Sequence, residues 1–120
     1  MRIMSDHHDY VPTFDLVAYI RAQIMFSANA FGPGPRLDGV LDHLAKEMIE
    51  VREHPQDPLE WADLIILAID GAWRQDISPE DLTSALVVKQ EMNRARRWPD
   101  WRGFPEGVAI EHVRDEGPPS

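Results

Sequence analysis

Four carboxylates stand in two pairs along the chain, Glu47 with Glu50 and Glu60 with Asp63. Each pair is spaced i, i+3, so both acids lie on one face of one helical turn. A short connection between two such helices brings the faces together. Four like charges gathered this way repel. A hard dication such as Mg²⁺ or Mn²⁺ prefers oxygen ligands and removes that repulsion. The four are therefore candidate metal ligands. Read alone, they also fit two solvated acidic faces, the commoner use of such pairs. Asp63 directly precedes the apolar run 64–69, and Asp70 directly follows it. An acid bordering a buried run needs a metal, a counter-charge or a hydrogen-bond donor. Asp70, next to Gly71 and close to Trp73, reads as a structural hydrogen-bonding residue.

Cations cluster later. Lys89, Asn93 and Arg96 fall at i, i+4 and i+7 on one face, with Arg97 beside them. Such a face holds phosphate oxygens, or it complements the negative end of a helix. His7 and His8 stand between Asp6 and Asp9, a metal-like cluster that its place near the terminus makes incidental. His43, one turn before Glu47, borders the acidic face or is an ordinary half-exposed histidine. Trp61, Trp73, Trp98 and Trp101 suit core or interface positions better than a base-stacking box. Phe31, in a loop, is the better candidate for touching a base. Gly32-Pro33-Gly34 lacks the spacing of a phosphate-cradling lysine loop, so phosphate chemistry here is expected to be metal-led.

These residues need helices to position them. Helix 1 is expected from Thr13, as cap, to about Asn29, with Leu16, Ile20, Ile24 and Ala28 as its stripe and Val17 and Met25 beside it. Phe31-Gly32-Pro33-Gly34-Pro35 then breaks the helix. Helix 2 is expected from Asp38 to Glu53, with Val40, Leu41, Leu44, Ala45, Met48 and Val51 in period. His54-Pro55-Gln56-Asp57-Pro58 makes a short turn and hence an antiparallel hairpin. Helix 3 should run from Leu59 to Gln75, apolar on most sides and so central. Ser78-Pro79-Glu80-Asp81 is a strong helix start. Helix 4 should continue to Arg97, before Trp98-Pro99. The tail with Trp101, Phe104 and Val108 should pack and then fray.

Composition sets the limits. The length of 120 residues suits one domain, and a hydrophobic share of 43% is ordinary for a globular chain. The expected organisation is a flexible leader over 1–13, a helical domain over 14–114 and a disordered tail over 115–120. No cysteine is present, which excludes disulfides, thiolate metal sites and cysteine nucleophiles. A net charge of -9 argues against a nucleic-acid partner but not against nucleotides, since carboxylates can recruit a cation that meets phosphates. No apolar run is long enough for a membrane span, so a soluble, cytoplasmic protein is expected.

The pattern as a whole resembles a known family. Glu47-x-x-Glu50 followed by Glu60-x-x-Asp63 resembles the signature of MazG-like all-α nucleoside-triphosphate pyrophosphohydrolases. The blocks Phe31 to Arg36, Glu60-Trp61-Ala62-Asp63, Asp70 to Arg74, Lys89-Gln90 and Asn93 to Trp101 resemble its phage and bacterial dATP/dGTP pyrophosphohydrolase branch, the MazZ-like group. That resemblance covers about 14–114. One departure is Lys46, where the superfamily often has its first Glu; a second is the short spacer from Glu50 to Glu60. Lys46 leaves the number of metal ions open.

The resemblance implies an all-α, four-helix bundle-like fold that associates as a homodimer or homotetramer. It implies Glu47, Glu50, Glu60 and Asp63 as ligands of Mg²⁺ or Mn²⁺, with Glu47 or Glu50 as general base. Lys89, Asn93 and Arg97 would grip the triphosphate, and Phe26, Phe31 and Arg36 would meet the base. The implied reaction converts dGTP or dATP to the monophosphate and pyrophosphate. The implied setting is phage purine-nucleotide metabolism, where 2-aminoadenine replaces adenine and the enzyme works in the host cytoplasm. Two alternatives stand beside this one: a non-catalytic helical interaction module, and the same reaction on dUTP or dCTP.

Overall fold

The computed structural model describes residues 13–114. The described residues form four α-helices and one short 3-10 turn, with no strand among them. The helices are α1 (Leu16–Phe31), α2 (Leu37–Glu53), α3 (Pro58–Arg74) and α4 (Pro79–Ala95); the 3-10 turn is Trp101–Gly103. The all-α expectation holds. The expected leader and tail fall almost wholly outside the described residues. The chain divides into two compact units, one ending at Thr83 and one beginning at Ser84.

Local chemistry sets most helix ends. Asp15, not Thr13, caps α1, accepting from the Ala18 N–H at 3.2 Å. The first helical residue is Leu16, so the unpaired N–H groups begin there, within reach of Asp15 and beyond that of Thr13. Asp57 caps α3 through the Leu59 N–H at 2.9 Å, and Pro58 sits in the first turn, where its missing N–H costs nothing. Ser78 accepts from the Asp81 N–H at 3.0 Å and starts α4 as expected. Arg36, just before α2, has a left-handed φ of 40° and makes no side-chain cap bond.

In the first unit, α3 packs on both α2 and α1, which makes it the central helix of the three. Val40, Leu44, Glu47 and Val51 share one face of α2 at spacings of four, three and four. Val40 and Val51 are buried and Leu44 is half-buried. Gly71 lets α2 and α3 approach, because a Cβ there would lie 3.3 Å from Val40 Cγ1. The apolar wrap of α3 is incomplete: Leu67 and Ile69 are buried, but Ile65 is 62% exposed. On α1, Ile20 and Ser27 are buried, while Met25 and Ala28 of the expected apolar side face outward. Arg21 pairs with Glu80, tying α1 to the first turn of α4 within this unit.

The second unit holds most of α4 and the chain after it. α4 ends two residues before Arg97, and the Trp98 indole donates to the Asn93 carbonyl at 2.8 Å. The chain returns so that the Val113 N–H donates to the Arg97 carbonyl at 2.7 Å, and His112 meets Trp98 edge-on with ring centroids 6.0 Å apart. The tail therefore packs, but through His112 and Val113. Trp101 and Val108 stay exposed. Burial, with Arg96 and Arg114 nearby, holds the His112 pKa below the usual histidine range.

Candidate active site

The faces of α2 and α3 explain which acids meet. Glu47 occupies a place on the inward stripe of α2 between Leu44 and Val51. On α3, Glu60, Asp63, Leu67, Asp70 and Arg74 share one face at alternating spacings of three and four. The hairpin turn apposes the two stripes. Trp61 braces that turn, its indole donating to the Pro55 carbonyl at 2.8 Å. As a result Glu47, Glu60 and Asp63 offer ligand oxygens all within 4.8 Å of one another.

Glu50 is not in this trio. It groups instead with Glu53 and His54 on the exposed end of α2. It stays close enough to act on Glu60, whose pKa is raised by burial first and then by the charges of Glu50, Asp57, Asp63 and Glu47. Lys46 turns to Asp42, with Nζ 3.2 Å from the carboxylate, both side chains exposed. His43 Nε2 lies 3.4 Å from Glu47 Oε1.

A cleft of about 220 Å³ opens among α1, α2, α3 and the Gly-Pro loop. Glu47 and Asp63 line it, and so do Phe26, Phe31, Arg36 and His43. Phe26 and Phe31 meet edge to face with centroids 6.2 Å apart. One continuous space thus holds acids and aromatic rings. Lys89, Asn93 and Arg97 lie in the second unit, Lys89 and Asn93 on α4 and Arg97 just past its end. The Asn93 side-chain oxygen accepts from Arg96 at 3.1 Å.

A buried polar network supports the cleft. Asp70 accepts from Gln23 Nε2 at 3.2 Å, Ser27 Oγ at 2.9 Å and Trp73 Nε1 at 3.1 Å. Arg74 Nη1 donates to the carbonyls of Gly32 and Gly34, each at 3.0 Å, and Nη2 donates to Ser27 Oγ at 3.0 Å. Gln75 adds a bond to the Pro35 carbonyl at 3.1 Å. Gly32 and Gly34 take φ of 82° and 100°, a backbone that favours glycine. Arg74 thereby holds the loop that leads from Phe31 to Arg36; Phe31 itself is the last residue of α1 and not, as expected, part of the loop. Sequence reasoning placed Asp70 correctly and missed Arg74 and Gln23. The available signal was the spacing of Arg74 from Asp70, i+4 on the cleft face.

Fold and site together define a class: a helical domain that presents carboxylates and aromatic rings to a single cleft. Comparison with known proteins makes the class specific. Residues 19–116 match the family described as dATP/dGTP pyrophosphohydrolase. The dATP/dGTP diphosphohydrolase of cyanophage S-2L is 32% identical over 106 residues, 87% of this chain and 94% of that protein. The chain belongs to the dATP/dGTP pyrophosphohydrolase family, and with it to the nucleotide-hydrolysing enzymes. The Eaa protein of Salmonella phage P22 is 47% identical over 62 residues, 52% of this chain but 19% of that longer protein. The chain thus spans about a fifth of that relative's length. No solved structure matches the chain at a significant level.

Proposed function

We propose that this protein hydrolyses dATP and dGTP to the monophosphate and pyrophosphate, using a divalent cation, Mg²⁺ or Mn²⁺. The carrying observation is the single cleft that joins Glu47 and Asp63 to Phe26, Phe31 and Arg36. Family membership supplies the reaction and the purine preference.

The donor set fits a hard dication. Glu47, Glu60 and Asp63 offer only carboxylate oxygens, and burial, then the neighbouring acids led by Glu50, raise the Glu60 pKa. These three would hold the cation, with Glu50 at the margin. When bound, the cation neutralises phosphate charge and makes water more acidic. Glu50 stands outside the trio and is suited to accept the proton from the attacking water; Glu47 is the second candidate for this role. The water oxygen bonds to the α-phosphorus, the α–β bridging bond breaks, and pyrophosphate leaves with that bridging oxygen. Phe26 and Phe31 offer flat apolar contact to the base, and Arg36 offers donors beside them. Lys89, Asn93 and Arg97 are assigned to the triphosphate on the family resemblance.

Exposed apolar side chains, including Met25, Met48, Ile49 and Ile65, favour assembly as a homodimer or homotetramer. No helix of the described residues is long and apolar enough to cross a membrane, and the host cytoplasm is the inferred workplace. The inferred role is phage purine-nucleotide metabolism, in genomes that carry 2-aminoadenine.

A panel of dNTPs with Mg²⁺ or Mn²⁺ tests the reading by pyrophosphate release. Turnover of dATP and dGTP is expected, and Asp63→Ala should lower it about a hundredfold or more, at least the loss typical of disturbing a metal ligand's support. Turnover of dUTP or dCTP alone would overturn the purine assignment. No turnover, with no metal-dependent rise in melting temperature, would instead favour a non-catalytic helical module.

A further inference from the structure

Gln23 has no role in the reading above, yet its side chain lines the cleft beside Phe26 and Asp70. Its amide orientation is decided by its partner. A carboxylate only accepts, so Gln23 must turn its NH₂ toward Asp70 Oδ1, at 3.2 Å. Asp70 itself is held by Ser27 and Trp73 and is 5% exposed. The amide therefore cannot flip without facing oxygen to oxygen. Its Oε1 accepts no hydrogen bond from the described residues, and it belongs to a side chain at the cleft wall.

Position along the cleft adds a second argument. Asp63 and Asp70 lie seven residues apart on one face of α3, roughly 10 Å along the axis at the helical rise per residue. A nucleotide with its phosphates at Asp63 extends its base toward the Asp70 end. Gln23 and Phe26 stand there one turn apart on α1. Adenine carries an exocyclic amino group at position 6, a donor that a fixed acceptor can meet, whereas guanine carries an acceptor oxygen there and its amino group at position 2.

We propose that Gln23 is a specificity residue, its Oε1 accepting from the 6-amino group of adenine, with the amide locked in that sense by Asp70. The assignment rests on the pyrophosphohydrolase reading of the cleft.

The test compares dATP with the triphosphate of unsubstituted purine 2′-deoxyriboside, which lacks the amino group, on the full chain and on Gln23→Met. The native protein should favour dATP about tenfold in kcat/KM, the usual worth of one neutral hydrogen bond. Gln23→Met should erase that preference while keeping turnover of the amino-free analogue. Gln23→Ala gives a second reading if the methionine variant does not fold. A preference unchanged in the variants, or an equal fall on both substrates, would overturn the proposal. No turnover of any triphosphate by the native protein would overturn the reading of the cleft and this proposal with it.

Discussion

Asp63 and Asp70 share one face of α3 and flank the same apolar run, yet their surroundings are opposite. Asp70 is buried and accepts from Gln23, Ser27 and Trp73. Asp63 is exposed and faces Glu47 and Glu60, which bring further negative charge and no donor. The first acid has its charge answered by the protein. The second is left to solvent beside two further acids. On the proposed function, acids left to solvent or a ligand at one end of the cleft, beside an acid answered by the protein at the other, separate a reactive end from a supporting end.

The largest expected effect breaks the comparison directly. Asp70→Ala should cost about 3 kcal/mol in urea unfolding, since buried donors lose their acceptor. Asp63→Ala should cost nothing in metal-free buffer, because it relieves repulsion. Equal losses in the two variants would mean that the two ends do not differ in kind.

A smaller effect sharpens the contrast through pH. Glu60 holds its proton more tightly in the folded state, so its contribution to stability is present at low pH. That contribution is lost as pH rises through the folded pKa, above the ordinary glutamate range. Metal-free protein should therefore show a falling melting temperature across that window, and Glu60→Gln should remove the fall. Added Mg²⁺ or Mn²⁺ should reverse the trend, because the cation binds the ionised carboxylates. A flat metal-free profile would show that the acids do not repel as their placement requires.

The smallest effect concerns Lys46. Its exposed pair with Asp42 should be worth at most about 0.5 kcal/mol, as for other helical i, i+4 pairs. Lys46→Ala should leave the melting curve and dATP turnover close to native. A large loss of turnover would place Lys46 in the reactive end after all.

Much of this was legible in the sequence, and the reasons are local. Pro58, Ser78 and the Gly32–Pro35 break act within a few residues, so three of the four helix starts and the hairpin turn could be read nearly to the residue. The i, i+3 spacing of Glu60 and Asp63 carries their shared face for the same reason. The Asp15 cap was missed because Thr13 also satisfies the local rule, and only the chain's actual path decides between them.

What tertiary structure alone decided lies where separate elements meet. Spacing made Glu47 and Glu50 equivalent; the packing of α2 on α3 drew Glu47 inward with Leu44 and Val51 and left Glu50 outside the trio. The i+4 spacing from Asp70 puts Arg74 on the same face, but it does not announce that Arg74 clamps a loop some forty residues earlier. The same holds for Gln23, whose partner Asp70 is on another helix. Helical periodicity determines which side chains share a face. Which face meets which, and which charge is left unanswered, depends on long-range packing that periodicity does not contain.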